Sequence, residues 1–413
     1  MTKSAIDPIK LERLAEVAVE VGVNLQEGQN LIVTSPMSAL PFARLVAAAA
    51  YKKGARDVTF LFNDDDITLA RYRHGTEAAL DGAPEWLYRG FAEGLENNAA
   101  RMAISAANPT LLSEQDPDKV SRVNRANLAA AKPAMKYISN FDINWSIAAY
   151  PSAAWAKQVF PGVAEEEAIE KLADAIFAAS RIDNNDPVAA WAKHNAELQS
   201  RSDWLNEMRF DALHFTGPGT DLTVGLADDH LWTGGSAPSK NGVVCNPNIP
   251  TEEVFTTPHA QRVNGVVRST KPLAHLGTII DGIEVRFEDG KIVEAKATKG
   301  EAVFQKMISS DEGASRLGEV ALVPHSSPIS QTGILFYNTL FDENAACHIA
   351  LGQCYAECIV DGHHLSKEQI VEKGGNQSII HVDWMIGSAE IDIDGIKADG
   401  TRVPVFRKGE WAQ

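Results

Sequence analysis

Basic residues, cysteines and long apolar runs are all scarce in this chain of 413 residues. Lys and Arg number 38 against 55 Asp and Glu, and the net charge of −17 disfavours nucleic-acid backbones and anionic membranes as partners. The longest apolar stretch near the N-terminus, Leu45 to Tyr51, is far shorter than the roughly 20 residues of a membrane-spanning helix. Because the N-terminal residues also lack the features of a secretory signal, a cytoplasmic protein is expected.

Cysteine usage and missing motifs exclude further classes. The four cysteines are too few for a disulfide scaffold, and the C-x6-C-x3-C spacing in CHIALGQCYAEC lacks the C-x2-C pair of structural zinc sites. No G-x-G-x-x-G follows the first predicted strand, which disfavours a Rossmann-type oxidoreductase. The absence of H-E-x-x-H excludes a thermolysin-type zinc site, and the absence of G-x-S-x-G disfavours a serine hydrolase.

Two domains with different secondary-structure patterns are predicted. In the N-terminal part, a buried-strand run at 30–34 and a second strand run at 57–62 flank an alanine-rich helix at 41–53, and this βαβ order implies parallel strands. Beyond about residue 211 the chain has short β-rich runs punctuated by Asp-Gly turns, which are typical of antiparallel hairpins. We therefore expect an α/β domain at 1–215 and an α+β domain at 216–413, whose largely antiparallel sheet carries the functional residues.

The segment Ile379–Ile386 is apolar except for His381 and Asp383. In a strand these two side chains project to the same face, while those of Val382 and Trp384 project to the other. A buried histidine and carboxylate need a partner, and a metal ion would satisfy both. A hydrogen-bonded His–Asp pair facing solvent is the alternative.

A second polar group lies in Phe341–Cys358. If the segment is helical, His348 and Tyr355 are two turns apart and share a face, although Gly352 argues for a break between them. Glu343 would then lie near the helix start, where a carboxylate is also favoured by the helix dipole.

Two further segments contribute carboxylates. Glu319 is the single acid at the start of the apolar strand predicted in Leu317–Pro324. Glu252 and Glu253 are adjacent, so in an extended strand at most one of them points into a site. Taken separately, each is consistent with a solvated acid. Taken together, glutamates, histidines and an aspartate form the N/O ligand set of paired divalent ions, which a carboxylate can bridge.

The chain resembles the aminopeptidase T / aminopeptidase S / PepS metallopeptidases, also called thermophilic aminopeptidases. The resemblance covers nearly the whole chain and rests on four blocks in the family's order: PTEEVFTTP, GEVALVPHSSPIS, LFDENAACHIALGQCY and NQSIIHVDWMIGS. It implies a homodimer that acts on short peptides and a site with two divalent metal ions, such as zinc, cobalt or manganese. The metal ligands that it implies are Glu253, Glu319, His348, His381 and Asp383.

The resemblance also places Glu343 and Tyr355 close to the metals. Glu343 is expected as a metal ligand or a proton acceptor, and Tyr355 as a hydrogen-bond donor to the developing oxyanion. The predicted function is a metal-dependent aminopeptidase that releases N-terminal residues from short peptides by means of a metal-activated water. Another dinuclear metallohydrolase, such as a phosphoesterase, and a non-enzymatic α/β binding protein remain as alternatives.

Overall fold

A computed structural model describes residues 5–106, 108–275 and 278–413. The chain packs into two compact units. The first contains the described residues up to Lys193 together with Ser236–Pro250, and the second contains His194–Gly235 and Thr251–Gln413. These units group residues by packing, and the domain boundary predicted between residues 215 and 216 stays a prediction.

The α-helices follow in chain order: α1 Pro8–Val17, α2 Leu40–Lys52, α3 Asp65–His74, α4 Glu77–Asp81, α5 Glu85–Glu96, α6 Pro117–Ser139, α7 Ala153–Val159, α8 Glu165–Ala179, α9 Pro187–Met208, α10 Glu301–Ile308, α11 Pro328–Thr332, α12 Thr339–Asp342 and α13 Lys367–Glu372. A π-helical turn, Ala18–Gly22, extends α1, and short 3₁₀ turns include Gly313–Ser315, Glu343–Ala345 and Ala356–Cys358. Within the described ranges, no helix is both long and apolar enough to cross a bilayer.

The β-strands are β1 Asn30–Pro36, β2 Asp57–Asn63, β3 Ala100–Ser105, β4 Trp145–Ala149, β5 Ala212–Gly217, β6 Thr220–Leu226, β7 Ala237–Pro238, β8 Val244–Cys245, β9 Asn248–Ile249, β10 Val254–Thr256, β11 Pro258–Arg268, β12 Leu273–His275, β13 Thr278–Ile280, β14 Glu284–Glu288, β15 Lys291–Lys296, β16 Leu317–Leu322, β17 His348–Gly352, β18 His381–Met385, β19 Asp392–Ile396, β20 Arg402–Arg407 and β21 Glu410–Trp411.

The first unit is an α/β layer, as the sequence predicts. Its sheet has the order β2-β1-β3-β4-β9, and every neighbouring pair is parallel. Leu31 and Val33 of β1 are fully buried, as expected for a strand covered by helices. The predicted strand–helix–strand unit is confirmed as β1, α2 and β2.

The second unit is built on antiparallel sheets, which confirms the predicted fold class. An eight-stranded sheet has the order β15-β14-β11-β6-β5-β19-β20-β21, and a four-stranded sheet has the order β10-β16-β17-β18. In the four-stranded sheet, one face packs into the hydrophobic core of the unit, where Val320, Ile349 and Trp384 are fully buried. That packing leaves the other face of the same strands to carry polar residues.

Candidate metal centre

Strand register brings four of the five predicted metal ligands to one face of the four-stranded sheet. Ala350 of β17 pairs with Glu319 of β16 on one side and with Asp383 of β18 on the other. His348 and His381 lie at even spacing from these positions, so their side chains project to the same face. Residues from three strands therefore meet because of the register, although they are far apart in the sequence.

Small residues keep this ligand face open. Ala350 lies between Glu319 and Asp383, and Gly352 lies opposite His381. Gly352 has a φ of 108°, and a Cβ there would lie 2.1 Å from the carbonyl oxygen of Ile380. Only glycine fits this close approach of two strands, which explains its place at the end of β17.

One group of ligand atoms joins Glu253, Glu319 and His348. The Nε2 of His348 lies 3.1 Å from Oε2 of Glu253 and 3.8 Å from Oε1 of Glu319. All three side chains are buried, and their ligand atoms lie within 4.8 Å of one another.

A second group joins Glu319, His381 and Asp383. The Nε2 of His381 lies 3.0 Å from Oε2 of Glu319 and 3.4 Å from Oδ1 of Asp383. Glu319 belongs to both groups and contributes a different carboxylate oxygen to each. A single carboxylate is thus shared between the two groups of ligand atoms.

Unsatisfied polar atoms show that these residues fit a metal. Oε2 of Glu253, Nε2 of His381 and Oδ1 of Asp383 are buried and have no hydrogen-bond partner of acceptable geometry, although Oε2 of Glu253 lies 3.1 Å from Nε2 of His348, and Oδ1 of Asp383 lies 3.4 Å from Nε2 of His381. Such atoms are costly to bury unless a ligand satisfies them. Imidazole nitrogens and carboxylate oxygens are the donors that divalent first-row cations accept.

Backbone carbonyls orient both imidazole rings. The Nδ1 of His381 lies 2.7 Å from the carbonyl oxygen of Gln353, and the Nδ1 of His348 lies 3.2 Å from that of Ala346. With Nδ1–H donating to the carbonyl, Nε2 of each ring carries the lone pair that a metal needs.

The structure distinguishes the two adjacent glutamates. Glu253 directs its carboxylate toward His348, whereas Glu252 directs its carboxylate toward His194, at 3.8 Å. The backbone N–H of Glu252 donates to Oδ1 of the buried Asn344 at 2.7 Å, which holds this segment in place before β10. The expectation that neighbours face opposite sides agrees with this arrangement.

The interpretation of Phe341–Cys358 as one helix is wrong. The helix α12 ends at Asp342, Glu343 opens a 3₁₀ turn, and the chain then extends as β17 from His348 to Gly352. Glu343 therefore lies at the end of a helix and not at its start. The apolar run of this segment belongs to a central strand, and burial on both faces removed the alternation that marks a strand in sequence.

Glu343 and Tyr355 lie beside the two groups of ligand atoms. Oε1 of Glu343 accepts a hydrogen bond from Nδ2 of Asn344 at 3.4 Å, and Glu343 belongs to neither group. The ring of Tyr355 packs against that of His381, with a centroid distance of 4.6 Å, and edge-on against Phe255. Tyr355 thus reaches the site from the loop that follows β17.

Comparison with known proteins identifies the family. Residues 8–411 match Peptidase_M29, described as thermophilic metalloprotease (M29). This chain belongs to the M29 metalloprotease family. It is 52% identical over 401 residues to aminopeptidase T of Thermus aquaticus, covering 97% of this chain and 98% of that protein. It is 48% identical over 406 residues to aminopeptidase 2 of Geobacillus stearothermophilus, covering 98% of each.

A solved structure agrees with this membership. Wild-type AmpT from Thermus thermophilus matches with a TM-score of 0.93 at 50% identity, covering 98% of this chain and 99% of that chain. The resemblance recognised in the four sequence blocks is confirmed, and so is the prediction of a peptidase hydrolase that depends on a divalent metal. Family membership therefore favours the peptidase over the phosphoesterase and the non-enzymatic binding protein.

The pKa values of the site residues are shifted because acidic and histidine side chains lie close together in a buried environment. Burial alone would lower the pKa of His348, but Glu253 and Glu319 raise it well above its ordinary value. Burial alone would also lower the pKa of His381, but Asp383 and Glu319 raise it well above its ordinary value. Burial and the neighbouring carboxylates of Glu253 and Asp383 raise the pKa of Glu343 well above its ordinary value.

Metal binding to this M29 chain is expected to release protons and to weaken as the pH falls. Because the pKa values of His348 and His381 are raised well above the ordinary value, the metal-free protein favours the imidazolium form of both rings, with a proton on Nε2 as well as on Nδ1. A metal can bind Nε2 only after that proton leaves. Calorimetric titration in buffers of different ionisation enthalpy should show proton release at pH 7, and affinity independent of pH between 6 and 8 would contradict it.

Three site residues were missed by the sequence reasoning. Asn344 links the carboxylate of Glu343 to the backbone of Glu252, and Gln353 accepts the hydrogen bond of His381 through its carbonyl. Glu357 lies close enough to Glu319 that burial and this carboxylate raise its pKa to about 7. All three lie inside LFDENAACHIALGQCYAEC. The contact of Gln353 is made through its backbone carbonyl and leaves no signal in residue type, whereas Asn344 and Glu357 act through polar side chains that the sequence displays.

Proposed function

We propose that this metal-dependent aminopeptidase binds two divalent ions and removes N-terminal residues from short peptides. The observation that carries the proposal is Glu319, whose two carboxylate oxygens lie in two separate groups of ligand atoms. The proposed ligands are Glu253, Glu319 and His348 for one ion, and Glu319, His381 and Asp383 for the other. Zinc, cobalt and manganese all suit this N/O ligand set.

Bound divalent ions would supply Lewis acidity that lowers the pKa of a water molecule and polarises the scissile carbonyl. The residues of the chain supply position and protons. His348 and His381 are held by the carbonyls of Ala346 and Gln353, so their Nε2 atoms keep a fixed direction. These ring nitrogens are therefore already oriented before a substrate binds, so they do not have to reorganise during the reaction.

Tyr355 is proposed as the hydrogen-bond donor to the carbonyl oxygen as negative charge develops on it. Burial and the carboxylates of Glu319 and Asp383 raise the pKa of the Tyr355 hydroxyl well above its ordinary value, although 38% of the residue's surface is exposed in the single chain. The hydroxyl therefore stays protonated at neutral pH and can donate.

Glu343 is proposed as the group that passes a proton to the leaving amine. Burial and the carboxylates of Glu253 and Asp383 raise its pKa above the ordinary value, which is the direction that makes a carboxylate a better proton acceptor. The hydrogen bond from Asn344 positions its carboxylate. Glu343 as a metal ligand is the alternative role, and metal content of a Glu343→Gln variant separates the two, because only loss of a ligand lowers it.

Removing the metal is expected to abolish peptide hydrolysis reversibly. Chelated protein would be assayed with a panel of free and N-acetylated short peptides, before and after addition of zinc, cobalt or manganese. Activity restored by metal and confined to free N-termini is the expected result, since an exopeptidase must recognise the α-amino group. Hydrolysis that survives chelation, or cleavage of acetylated peptides at an equal rate, would contradict the proposal.

Metal stoichiometry tests the paired site separately. Titration of the chelated protein should saturate at two ions per chain, and saturation at one would leave an aminopeptidase with a mononuclear site. The homodimer and the cytoplasmic location stay predictions from the resemblance and from the N-terminal sequence. The mass of the native protein in solution tests the first of them.

A further inference from the structure

Glu253 is the proposed metal ligand that strand pairing does not place. The other four lie on β16, β17 and β18, whereas Glu253 precedes β10, which begins at Val254. Thr251, Glu252 and Glu253 are all buried, but they belong to no helix or strand. Because a loop holds a side chain less precisely than a strand does, the direction of Glu253 depends on contacts made by this segment.

One peptide group of this segment is held at both of its polar atoms. It joins Thr251 to Glu252, directly before Glu253. The N–H of Glu252 donates to Oδ1 of Asn344 at 2.7 Å. The carbonyl oxygen of Thr251 lies 2.8 Å from Nε2 of His194, and both partner side chains are buried. Because a peptide group is planar, fixing its two polar atoms restricts the direction of the Glu253 side chain that follows.

The amide of Asn344 also reaches a second acid of the site. Its Nδ2 donates to the carbonyl oxygen of Leu340 at 3.1 Å and to Oε1 of Glu343 at 3.4 Å. The bond to Leu340 satisfies a carbonyl of α12, which is a structural contribution. The oxygen of the same amide accepts from the N–H of Glu252, so a single side chain with a donor and an acceptor contacts both acid-bearing segments.

We propose that Asn344 is a positioning residue, which holds Glu253 at the cation position formed with Glu319 and His348. The inference rests on the proposed two-ion aminopeptidase and adds a residue, outside the ligand set, on which one ion depends. Glu319 is placed by strand pairing and stays available to the group of His381 without Asn344. Loss of Asn344 should therefore spare one ion and weaken binding of the other by roughly 10–100-fold, as is typical for residues that support metal ligands.

The test measures the affinity of the chelated full-length protein for each cobalt(II) ion, by calorimetric titration and by the visible absorption of bound cobalt. Wild-type protein should bind two ions tightly. Asn344→Ala should bind one ion as the wild type does and the second at least about tenfold more weakly. Asn344→Asp retains an oxygen that accepts from the N–H of Glu252, and added negative charge does not weaken a cation site, so this variant should bind both ions.

Two further comparisons separate positioning from a general loss of stability. Asn144→Ala removes another fully buried asparagine, whose side chain bonds Val23 and Gln29 in the first unit, and should leave both affinities unchanged. In a Glu253→Gln background, Asn344→Ala should cause no further loss of metal affinity, because Asn344 acts through Glu253.

Several results would overturn the inference while the two-ion proposal stands. They are unchanged or equally weakened binding of both ions in Asn344→Ala, a one-ion loss in Asn144→Ala, a full additional loss in the double variant, and loss of an ion in Asn344→Asp. The Asn344→Asp result decides the matter if Asn344→Ala does not fold. Wild-type protein that saturates at one ion would instead refute the two-ion site, and the inference with it.

Discussion

Replacing Glu319 by glutamine is expected to lower kcat/KM by more than about 100-fold, because substitution of residues that merely support metal ligands already costs roughly 10–100-fold. Glutamine keeps the size of the side chain. It removes the negative charge that is shared by the two groups of ligand atoms, one containing His348 and the other His381. If the proposed two-ion site is right, the variant should therefore lose affinity for both ions at once. Metal content after equilibrium dialysis, measured with peptide hydrolysis, checks this.

Two comparisons make the Glu319 result specific. Glu253→Gln removes a residue of one group only, so it should retain one ion per chain where Glu319→Gln retains neither tightly. Glu410→Gln is a control for the loss of a structural carboxylate, because Glu410 accepts hydrogen bonds from Ser326 and has no place in either group. Full metal content in the Glu319 variant would remove the basis for a shared ligand.

Replacing Ala350 by leucine is the second change for which a large loss is expected. Ala350 is fully buried and lies between Glu319 and Asp383 on the ligand face. Three added carbon atoms would stand between the two carboxylates and push them apart. Overpacking of a buried position also costs about 1–3 kcal/mol of folding stability. Hydrolysis should fall by about two orders of magnitude, as for loss of a well-placed catalytic group.

Ala350→Gly supplies the matched control for added bulk. It changes the same strand position and lowers stability by roughly 0.5–1 kcal/mol, yet it inserts nothing between the carboxylates. Thermal unfolding would measure stability in both variants, and metal content would measure the site. A leucine variant that keeps full metal content and activity would show that the ligand face has room that the register does not suggest.

Much of the fold was accessible to local sequence patterns. The strand runs at 30–34 and 57–62 correspond to β1 and β2, and the helix between them corresponds to α2. The run of β1 is recognisable because Leu31 and Val33 are apolar and fully buried, whereas β2 lies at the edge of the sheet and is mostly exposed. The Asp-Gly pairs ending at Gly282, Gly290 and Gly400 likewise marked turns of the antiparallel second half, since each glycine has the positive φ that tight turns require, whereas Asp394-Gly395 lies inside β19.

The segment around His348 shows where local patterns fail. Its run of small and apolar residues is compatible with a buried helix or a buried strand, and periodicity alone does not separate them. In the structure it is β17, paired on both sides by β16 and β18. Pairing with strands that lie elsewhere in the sequence decided its form, and no property of residues 341–358 contains that information.

The sequence by itself determined which residue types were available for chemistry: the His–Asp pair at 381 and 383, with its same-face geometry, and the acids at 253 and 319. Tertiary structure decided that they meet. The register shift between Leu317 and Glu319 places Leu317 in the hydrophobic core and Glu319 on the ligand face, although two-residue spacing alone would put both on one side. A single extra residue in a strand reverses which face a side chain occupies, and only pairing with β17 shows where that residue is.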